Sequence, residues 1–269
     1  MQDQIVFIGA GNMAEALLHG ILASNLREPA SVCLTDVRSE RLAELEIRYG
    51  VRTKMDNAEA IRGASVVFLC VKPQQIPEVL EPLKGIGEEA LWVSIAAGVT
   101  TRTLEAARGV GARVVRVMPN TPALVQCGAA GYCPGQSATA EDLALVRQCL
   151  ESVGLALEVT EKDMHAVTAL SGSGPAYAFY LVESMLRAGE ALGLDAAAAR
   201  ALVVQTLKGA AELMLAQPEI SPEELRLRVT SKGGTTAAAI AAFDQAGVGE
   251  GLKQGVLSAA ARSVELAGN

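Results

Sequence analysis

The sequence predicts two domains: an α/β domain built on a parallel sheet, followed by an all-α domain. Up to about residue 160, short apolar runs alternate with helical patterns, which is typical of strand–helix units in a parallel sheet. The first apolar run ends in a glycine-rich turn. After residue 160 the alternation stops and Ala- and Leu-rich helical segments take over. We therefore place the domains at 1–160 and 161–269.

The composition allows this arrangement and excludes several partners. A chain of 269 residues is long enough for two domains that each bury a core. Half of the residues are hydrophobic but only 3% are aromatic, so Ala, Val and Leu must fill the cores. The net charge of −7 argues against nucleic acid or an anionic membrane surface as a partner. No run reaches about 18 consecutive apolar residues, so we expect no membrane span.

The cysteines and the first residues indicate a compartment. The five cysteines show no metal-ligand spacing, and Cys33 and Cys70 fall in apolar strand-like runs, where a small buried thiol is expected. This usage predicts a reducing cytosol and no metal site. The first residues lack the pattern of a signal peptide. We expect a soluble cytoplasmic protein.

The glycine-rich turn has a specific interpretation. Gln4 to Ile8 reads as a strand, Glu15 to Ala23 reads as a helix, and G-x-G-x-x-A lies between them at Gly9 to Ala14. This is the context of the dinucleotide fingerprint. Its first glycine permits the tight turn, its second lets the backbone approach a pyrophosphate, and its small last residue allows close helix packing. The α/β domain is therefore predicted to be a Rossmann-type dinucleotide-binding domain.

The second strand, Ser31 to Thr35, ends at Asp36, where an acidic residue would bond the adenosine ribose hydroxyls. The alternative is that Asp36 is the N-cap of the helix that starts at Ser39. Arg38 and Arg41 follow, and they either hold a 2′-phosphate or line a solvated helix face.

Further strands and helices continue the alternation. The ligand site should lie at the carboxyl ends of the strands, where the Gly, Pro and Asn junctions fall. The predicted strands are Ser65 to Val71, Leu91 to Ala96, Arg113 to Met118 and Leu155 to Thr160; the predicted helices are Gln74 to Leu83, Thr101 to Arg108 and Asp142 to Val153.

The second domain is predicted to be helical throughout. Alanine on several faces of its helices predicts packing on more than one side, so we expect an all-α C-terminal dimerisation domain. The predicted helices are Ala176 to Leu192, Asp195 to Ala216, Pro222 to Val229, Thr235 to Phe243 and Gly249 to Ala267.

One loop of the helical domain carries a possible binding function. In Ser231 to Ala237, two glycines and two threonines open onto a helix. Successive backbone N–H groups at such a turn, reinforced by the helix dipole, suit a carboxylate or phosphate. The alternative is an ordinary interhelical loop in which Thr235 or Thr236 is an N-cap.

The chain is poor in acid–base groups. A packing or surface role is favoured for His19, and no catalytic role is favoured for His165, which lies near Asp163. Reduction of a ketone needs a placed general acid for the alkoxide, whereas a protonated imine accepts hydride without forming an oxyanion. The residues therefore favour C=N over C=O reduction.

Several motifs resemble the pyrroline-5-carboxylate reductase family, over nearly the whole chain and in family order. They are FIGAGNMAEALLHG (7–20), VKP (71–73), SIAAGVT (94–100), VMPNTPA (117–123), LSGSGPAYAF (170–179) and LRLRVTSKGGTTAAAIAAFD (225–244). The resemblance implies reduction of 1-pyrroline-5-carboxylate to L-proline with NADPH or NADH, the last step of proline biosynthesis. It also implies a homodimer with interlocking helical domains, often assembled further into decamers.

The resemblance also implies site residues. Ser231, Gly233, Gly234 and Thr235 would hold the substrate carboxylate, and Thr236 would bond the ring nitrogen as the catalytic residue. The implied cofactor residues are Gly9, Ala10, Gly11, Asn12 and Met13 at the pyrophosphate, Asp36 and Asn57 at the adenosine ribose, and Val71, Lys72, Pro73, Ala96, Ala97 and Asn120 on the nicotinamide side. For Lys72 a solvated strand end is the alternative.

Two positions depart from the family pattern, and two other functions compete. Lys232 replaces a usual proline, which leaves the loop without one fixed φ angle, and the Asp36 carboxylate should repel a 2′-phosphate. A β-hydroxyacid dehydrogenase would need a lysine or a similar acid on the first long helix of the second domain, and we find none on Ala176 to Leu192. A non-catalytic NAD(P)-binding protein would show a broken substrate loop, whereas this loop is intact.

Overall fold

The computed structural model, which describes residues 4–268, confirms the predicted fold class. The chain forms two compact units. The first runs to Pro175 and resumes at Ala259, and the second is Ala176–Ser258. The domain boundary predicted after residue 160 follows the last strand of the sheet directly, and it stays a prediction.

The first unit contains one eight-stranded sheet. The strand order is β3-β2-β1-β4-β5-β6-β7-β8, and every neighbouring pair is parallel except β6 and β7. The strands are β1 (Ile5–Ile8), β2 (Val32–Thr35), β3 (Arg52–Lys54), β4 (Val66–Leu69), β5 (Leu91–Ser94), β6 (Arg113–Met118), β7 (Gly128–Pro134) and β8 (Gly154–Glu158).

Helices cover both faces of this sheet, which explains why its strands are apolar without alternation. In β1, Ile5 and Phe7 enter one core cluster while Val6 and Ile8 enter the other. The helices are α1 (Asn12–Ala23), α2 (Ser39–Tyr49) and α6 (Ala140–Glu151) on the first cluster, α3 (Asn57–Ala60), α4 (Ile76–Leu80) and α5 (Thr101–Arg108) on the second, and the short α7 (Met164–Val167) after β8.

One predicted helix of this unit was wrong in detail, and two strands were missed. The helix predicted over Gln74 to Leu83 is broken into α4 and two flanking 3-10 turns, Pro73–Gln75 and Glu81–Leu83, because its prolines remove backbone donors. Strands β3 and β7 were not predicted. The chain returns from β6 to β7 through a 3-10 turn, Thr121–Val125, which is too short for a parallel crossover; the pair is therefore antiparallel.

The second unit is helical, as predicted. Its helices are α8 (Gly174–Ala191), α9 (Ala196–Ala216), α10 (Pro222–Arg228), α11 (Thr235–Gln245) and α12 (Val248–Ala267), of which α8 begins and α12 ends in the first unit. Large apolar side chains on these helices are exposed in the single chain, among them Phe179, Leu202, Leu215, Phe243 and Leu252. Within residues 4–268, no helix is both long and apolar enough to cross a membrane.

An ion pair between a buried arginine and a partly exposed glutamate fixes the chain where it leaves the sheet. Arg116 on β6 is 1% exposed, and its Nη1 lies 2.5 Å from Oε1 of Glu161. The Cys133 thiol donates to the other carboxylate oxygen at 3.3 Å. Burial raises the pKa of Glu161, but the hydrogen bonds from Arg116 and Thr101 outweigh burial, so this pKa lies below its ordinary value.

We expect Glu161→Gln to lower the free energy of unfolding by about 2–3 kcal/mol at pH 7. This is below the 3–5 kcal/mol of a fully buried pair because the Glu161 side chain is 36% exposed. Since the folded pKa is lowered, the ionised carboxylate stabilises fully above the unfolded pKa of about 4.3, and this contribution is lost as the pH falls through the folded pKa. Urea unfolding at several pH values should show the difference from wild type shrinking below about pH 4.3.

The matched control is Glu151→Gln, which removes an exposed helical pair with Arg147 and should change stability by less than about 0.5 kcal/mol. A difference between wild type and Glu161→Gln that does not depend on pH would contradict an ionic role for Glu161.

Candidate active site

The glycine-rich turn after β1 joins the carboxyl ends of three strands. Gly9 has a φ of +95°, and its N–H donates to the carbonyl oxygen of Thr35 at 2.9 Å. A Cβ atom at Gly9 would lie 2.7 Å from the carbonyl oxygen of Cys70. Both the left-handed backbone and the close approach therefore require glycine here.

The turn presents unpaired backbone donors. Helix α1 has Gly11 as its N-cap, with no side-chain cap. Within the described part of the chain, the N–H groups of Gly11, Asn12 and Met13 make no hydrogen bond. Together with the positive end of the helix dipole, these donors form an anion site of the kind that binds a pyrophosphate.

A cavity of about 450 Å³ opens beside this turn. Six of the predicted cofactor residues line it, namely Gly9, Gly11, Asp36, Asn57, Val71 and Lys72. Val37, Met55 and Val79 supply an apolar wall, which suits a flat aromatic base. The side-chain oxygen of Asn57 accepts a hydrogen bond from the Thr35 hydroxyl at 2.6 Å, so β2 fixes its position.

Asp36 is bonded to the glycine turn rather than to a helix. Its Oδ2 accepts the N–H of Ala10 at 2.9 Å, and its Oδ1 accepts both the N–H and the Nε–H of Arg38 at 3.0 Å. The N-cap of α2 is Arg38, without a side-chain cap, so the alternative of Asp36 as N-cap was wrong. Burial raises the pKa of Asp36, but the hydrogen bonds from Arg38 and Ala10 outweigh burial and leave this pKa lowered.

The two arginines after Asp36, Arg38 and Arg41, differ in their exposure and in their partners. The Arg38 side chain is 59% exposed and borders the cavity. The Arg41 side chain is only 13% exposed, and its Nε donates to the carbonyl oxygen of Ala10 at 2.9 Å. Arg41 therefore does not line a solvated helix face. Of the two, only Arg38 is exposed beside the predicted ribose site.

The residues predicted on the nicotinamide side do not all lie in one place: Val71 and Lys72 line the cavity beside the glycine turn. Pro73 and Ala97 line a second cavity of about 440 Å³, together with Gly98 and Leu266. Ala96 is 3% exposed and belongs to the core.

The Asn120 side chain makes two hydrogen bonds to residues that are distant in the sequence. Its Nδ2 donates to the carbonyl oxygen of Ser171 at 3.1 Å, and its Oδ1 accepts the N–H of Ala129 at 2.9 Å. The side chain thus holds the end of β6 to β7 and to the π-helical segment Thr168–Gly172. Among the described residues it borders neither cavity.

The loop before α11 forms the predicted donor set. Gly233 has a φ of +73°, and the N–H of Gly234 donates to the carbonyl oxygen of Ser231 at 3.0 Å. A Cβ atom at Gly234 would lie 2.5 Å from the Ser231 Oγ. The Lys232 side chain, where the family usually has proline, is exposed.

The N-cap of α11 is Gly234, without a side-chain cap, so the alternative of a threonine N-cap was wrong. Among residues 4–268, the N–H groups of Thr235, Thr236 and Ala237 and both threonine hydroxyls have no hydrogen-bond partner. Three backbone donors and two hydroxyls are therefore available for an anionic ligand. These residues belong to the second unit, and the cavity beside the glycine turn belongs to the first.

Both histidines have hydrogen-bond partners. His19 and Gln126 hydrogen-bond each other at 3.1 Å, and His165 and Ser263 at 2.9 Å. In the described part of the chain, neither histidine lines the two cavities at the carboxyl edge of the sheet.

Comparison with known proteins gives matches along the whole chain. Residues 161–266 match the model of the pyrroline-5-carboxylate reductase dimerisation family, and residues 4–98 match that of the coenzyme F420-dependent NADP oxidoreductases. The pyrroline-5-carboxylate reductase of Corynebacterium melassecola is 42% identical over 97% of this chain and 98% of its own, and that of Pseudomonas aeruginosa is 43% identical over 98% and 97%.

Two solved structures have the same fold throughout. The pyrroline-5-carboxylate reductase of Coxiella burnetii superposes with a TM-score of 0.91 at 38% identity, covering 99% of both chains. The Plasmodium falciparum pyrroline carboxylate reductase with NADP bound superposes with a TM-score of 0.90 at 29% identity, also covering 99% of both.

The two glycines of the turn should respond differently to alanine. Gly9→Ala should lower the free energy of unfolding by about 2 kcal/mol or more, because a left-handed non-glycine backbone alone costs about 1–2 kcal/mol. A Cβ atom at Gly11 meets no atom within 4 Å, so Gly11→Ala should change stability by less than about 0.5 kcal/mol and yet weaken NADH binding. Denaturant unfolding and NADH titration measure the two effects. A Gly11→Ala protein with wild-type NADH affinity would exclude this turn as the pyrophosphate site.

Proposed function

The chain belongs to the pyrroline-5-carboxylate reductase family, and from this premise we propose how its residues act in the reduction of 1-pyrroline-5-carboxylate to L-proline, the last step of proline biosynthesis. The observation that carries the proposal is the uncapped N-terminus of α11. A substrate carboxylate is the natural acceptor for the free N–H groups of Thr235, Thr236 and Ala237. The Ser231 and Thr235 hydroxyls add further donors at the same turn.

The first unit fits a nicotinamide dinucleotide. A Cβ atom would clash at Gly9, and free backbone donors follow at the start of α1. Bound there, NADPH or NADH supplies the hydride. We assign the pyrophosphate to Gly9, Ala10, Gly11, Asn12 and Met13, the adenosine ribose to Asp36 and Asn57, and the nicotinamide side to Val71, Lys72, Pro73 and Ala97. Ala96, which is buried in the core, and Asn120, which is bonded to Ser171 and Ala129, are assigned a supporting role at the same edge of the sheet.

The catalytic demand on the protein is small, in line with its few acid–base groups. A protonated imine already carries the positive charge that attracts a hydride, and the product amine needs no oxyanion stabilisation. The chain has to fix the ring by its carboxylate and its nitrogen. We assign the contact with the ring nitrogen to the Thr236 hydroxyl, which is free within residues 4–268.

We also infer an assembly and a location. The exposed apolar side chains of α8, α9, α11 and α12, in a region that matches a dimerisation family, favour a homodimer; further assembly into a decamer stays an expectation from the family resemblance. All five cysteines are free, and burial raises the pKa of Cys133 and of Cys149 to about 12. Unpaired cysteines, most of them buried, support a reducing compartment, the cytoplasm.

We expect both NADPH and NADH to be oxidised in the presence of 1-pyrroline-5-carboxylate and not without it. Asp36→Asn keeps an acceptor for the Ala10 N–H, removes the charge that repels a 2′-phosphate, and releases Arg38. The ratio of kcat/KM for NADPH to that for NADH should rise about tenfold, which is about 1.4 kcal/mol. Asp36→Ser should shift the ratio in the same direction. A ratio within twofold of wild type in both variants would show that Asp36 only supports the turn.

Thr236→Val tests the contact with the ring nitrogen. A hydrogen bond with a charged partner contributes roughly 1.5–3 kcal/mol, so kcat/KM should fall roughly 10- to 150-fold. Since Thr236 caps no helix and valine keeps its branched shape, the melting temperature should not change. Thr235→Val is the neighbouring control, with a smaller loss through the substrate KM. A folded Thr236→Val enzyme within twofold of wild type would remove Thr236 from the mechanism.

A further inference from the structure

The side chain of Arg41, on α2, joins the glycine turn to α1 and α2. Its Nε–H donates to the Ala10 carbonyl oxygen at 2.9 Å, although the two residues are 31 positions apart. Its Nη1 pairs with Glu44 on α2 at 2.9 Å, and its Nη2 pairs with Glu15 on α1. Each nitrogen of the planar guanidinium thus has its own acceptor, a geometry that a lysine ammonium cannot reproduce.

This contact determines which way the neighbouring peptide group points. The Ala10 carbonyl and the Gly11 N–H belong to one planar trans peptide, in which C=O and N–H point in opposite directions. With the carbonyl drawn towards α2, the Gly11 N–H is directed away from α2. Gly11 has no Cβ to restrict rotation of this peptide. A rotated peptide would present its carbonyl oxygen, instead of the N–H, to an anion.

The preceding peptide group, between Gly9 and Ala10, is also held by a side chain. The Ala10 N–H donates to the Asp36 carboxylate at 2.9 Å, and the Gly9 N–H donates to the Thr35 carbonyl oxygen. Ala10 itself is fully buried. Both peptide groups of Ala10 are therefore held by side chains, the first by Asp36 after β2 and the second by Arg41 on α2. The Arg41 contact is the one that acts directly on the Gly11 N–H.

We propose that Arg41 is a positioning residue for the cofactor, which orients the Ala10–Gly11 peptide so that the Gly11 N–H faces the pyrophosphate. The inference rests on the dinucleotide-binding part of the proposed function. The pyrophosphate is common to NADH and NADPH, so loss of Arg41 should weaken both equally. This separates Arg41 from Arg38, whose place beside Asp36 predicts an effect on one cofactor only.

Arg48 provides a matched control. It pairs with Glu15 at 2.5 Å and with Glu44 at 2.6 Å, the same two carboxylates that Arg41 contacts. Its side chain is 51% exposed, and among the described residues it makes no hydrogen bond to the glycine turn. Arg48→Lys therefore disturbs the same ion-pair network without touching Ala10.

The test is titration of the full chain with NADH, NADPH and ADP-ribose, all of which contain the pyrophosphate. In Arg41→Lys and Arg41→Gln, we expect the three dissociation constants to rise by one common factor, roughly tenfold. The kcat at saturating cofactor should stay within about threefold of wild type, because we assign the turn to the pyrophosphate and not to the reacting rings. Arg48→Lys should leave all three dissociation constants within twofold of wild type.

Three results would overturn the proposal: dissociation constants within twofold of wild type in folded Arg41→Lys, a loss confined to NADPH, or an equal loss in Arg48→Lys. If Arg41→Gln does not fold, Arg41→Lys decides, since it keeps the charge that faces Glu15. The binding measurements need no imine. A chain that binds NADH tightly but reduces no imine would refute the proposed reaction and leave the role of Arg41 intact.

Discussion

The carboxyl edge of the sheet depends on one backbone constraint, the approach of Gly9 to the Cys70 carbonyl oxygen at a distance that leaves no room for a Cβ atom. This approach joins the ends of β1 and β4, and the hydrogen bond from the Gly9 N–H to Thr35 adds the end of β2. The first N–H groups of α1 follow directly after this turn. The anion-binding donors that we infer at this turn are therefore backbone N–H groups, and the cationic side chains of Arg38 and Lys72 line the cavity beside them. That solution suits a chain with a net charge of −7, because helix-terminus donors bind phosphate whatever the overall charge of the protein.

Close backbone packing recurs at β7 and β8, beyond the antiparallel pair of β6 and β7. A Cβ atom at Gly154 would overlap the backbone of Gly128, and one at Gly131 would lie 2.7 Å from a methyl group of Val167. With few aromatic residues in the chain, small residues at contact positions bring strands and helices together without voids. The same region holds the ion pair of the buried Arg116 and the partly exposed Glu161, so the start of the helical region is fixed by both close packing and charge.

Local patterns were sufficient for the fold class, for most strands of the parallel sheet and for the glycine turn, since each depends on short-range propensity and periodicity. They were insufficient for β7, whose Gly- and Ala-rich sequence has low strand propensity and is held by its neighbours. The roles of Arg41 and Asn120 also escaped prediction, because their partners lie 31 positions away for Arg41 and 9 and 51 positions away for Asn120. The donor set of the loop before α11 was predicted from its glycines, whereas the absence of a threonine cap required the backbone geometry.

The free donors at the start of α11 have a consequence for the energetics of turnover. The carboxylate that they are proposed to hold does not change between imine and amine, so this contact stabilises substrate, transition state and product alike. Such uniform binding lowers KM without accelerating the chemical step. It also makes the product a competitor for the same N–H groups, so the turn that concentrates a dilute substrate also delays departure of the amino acid when it accumulates.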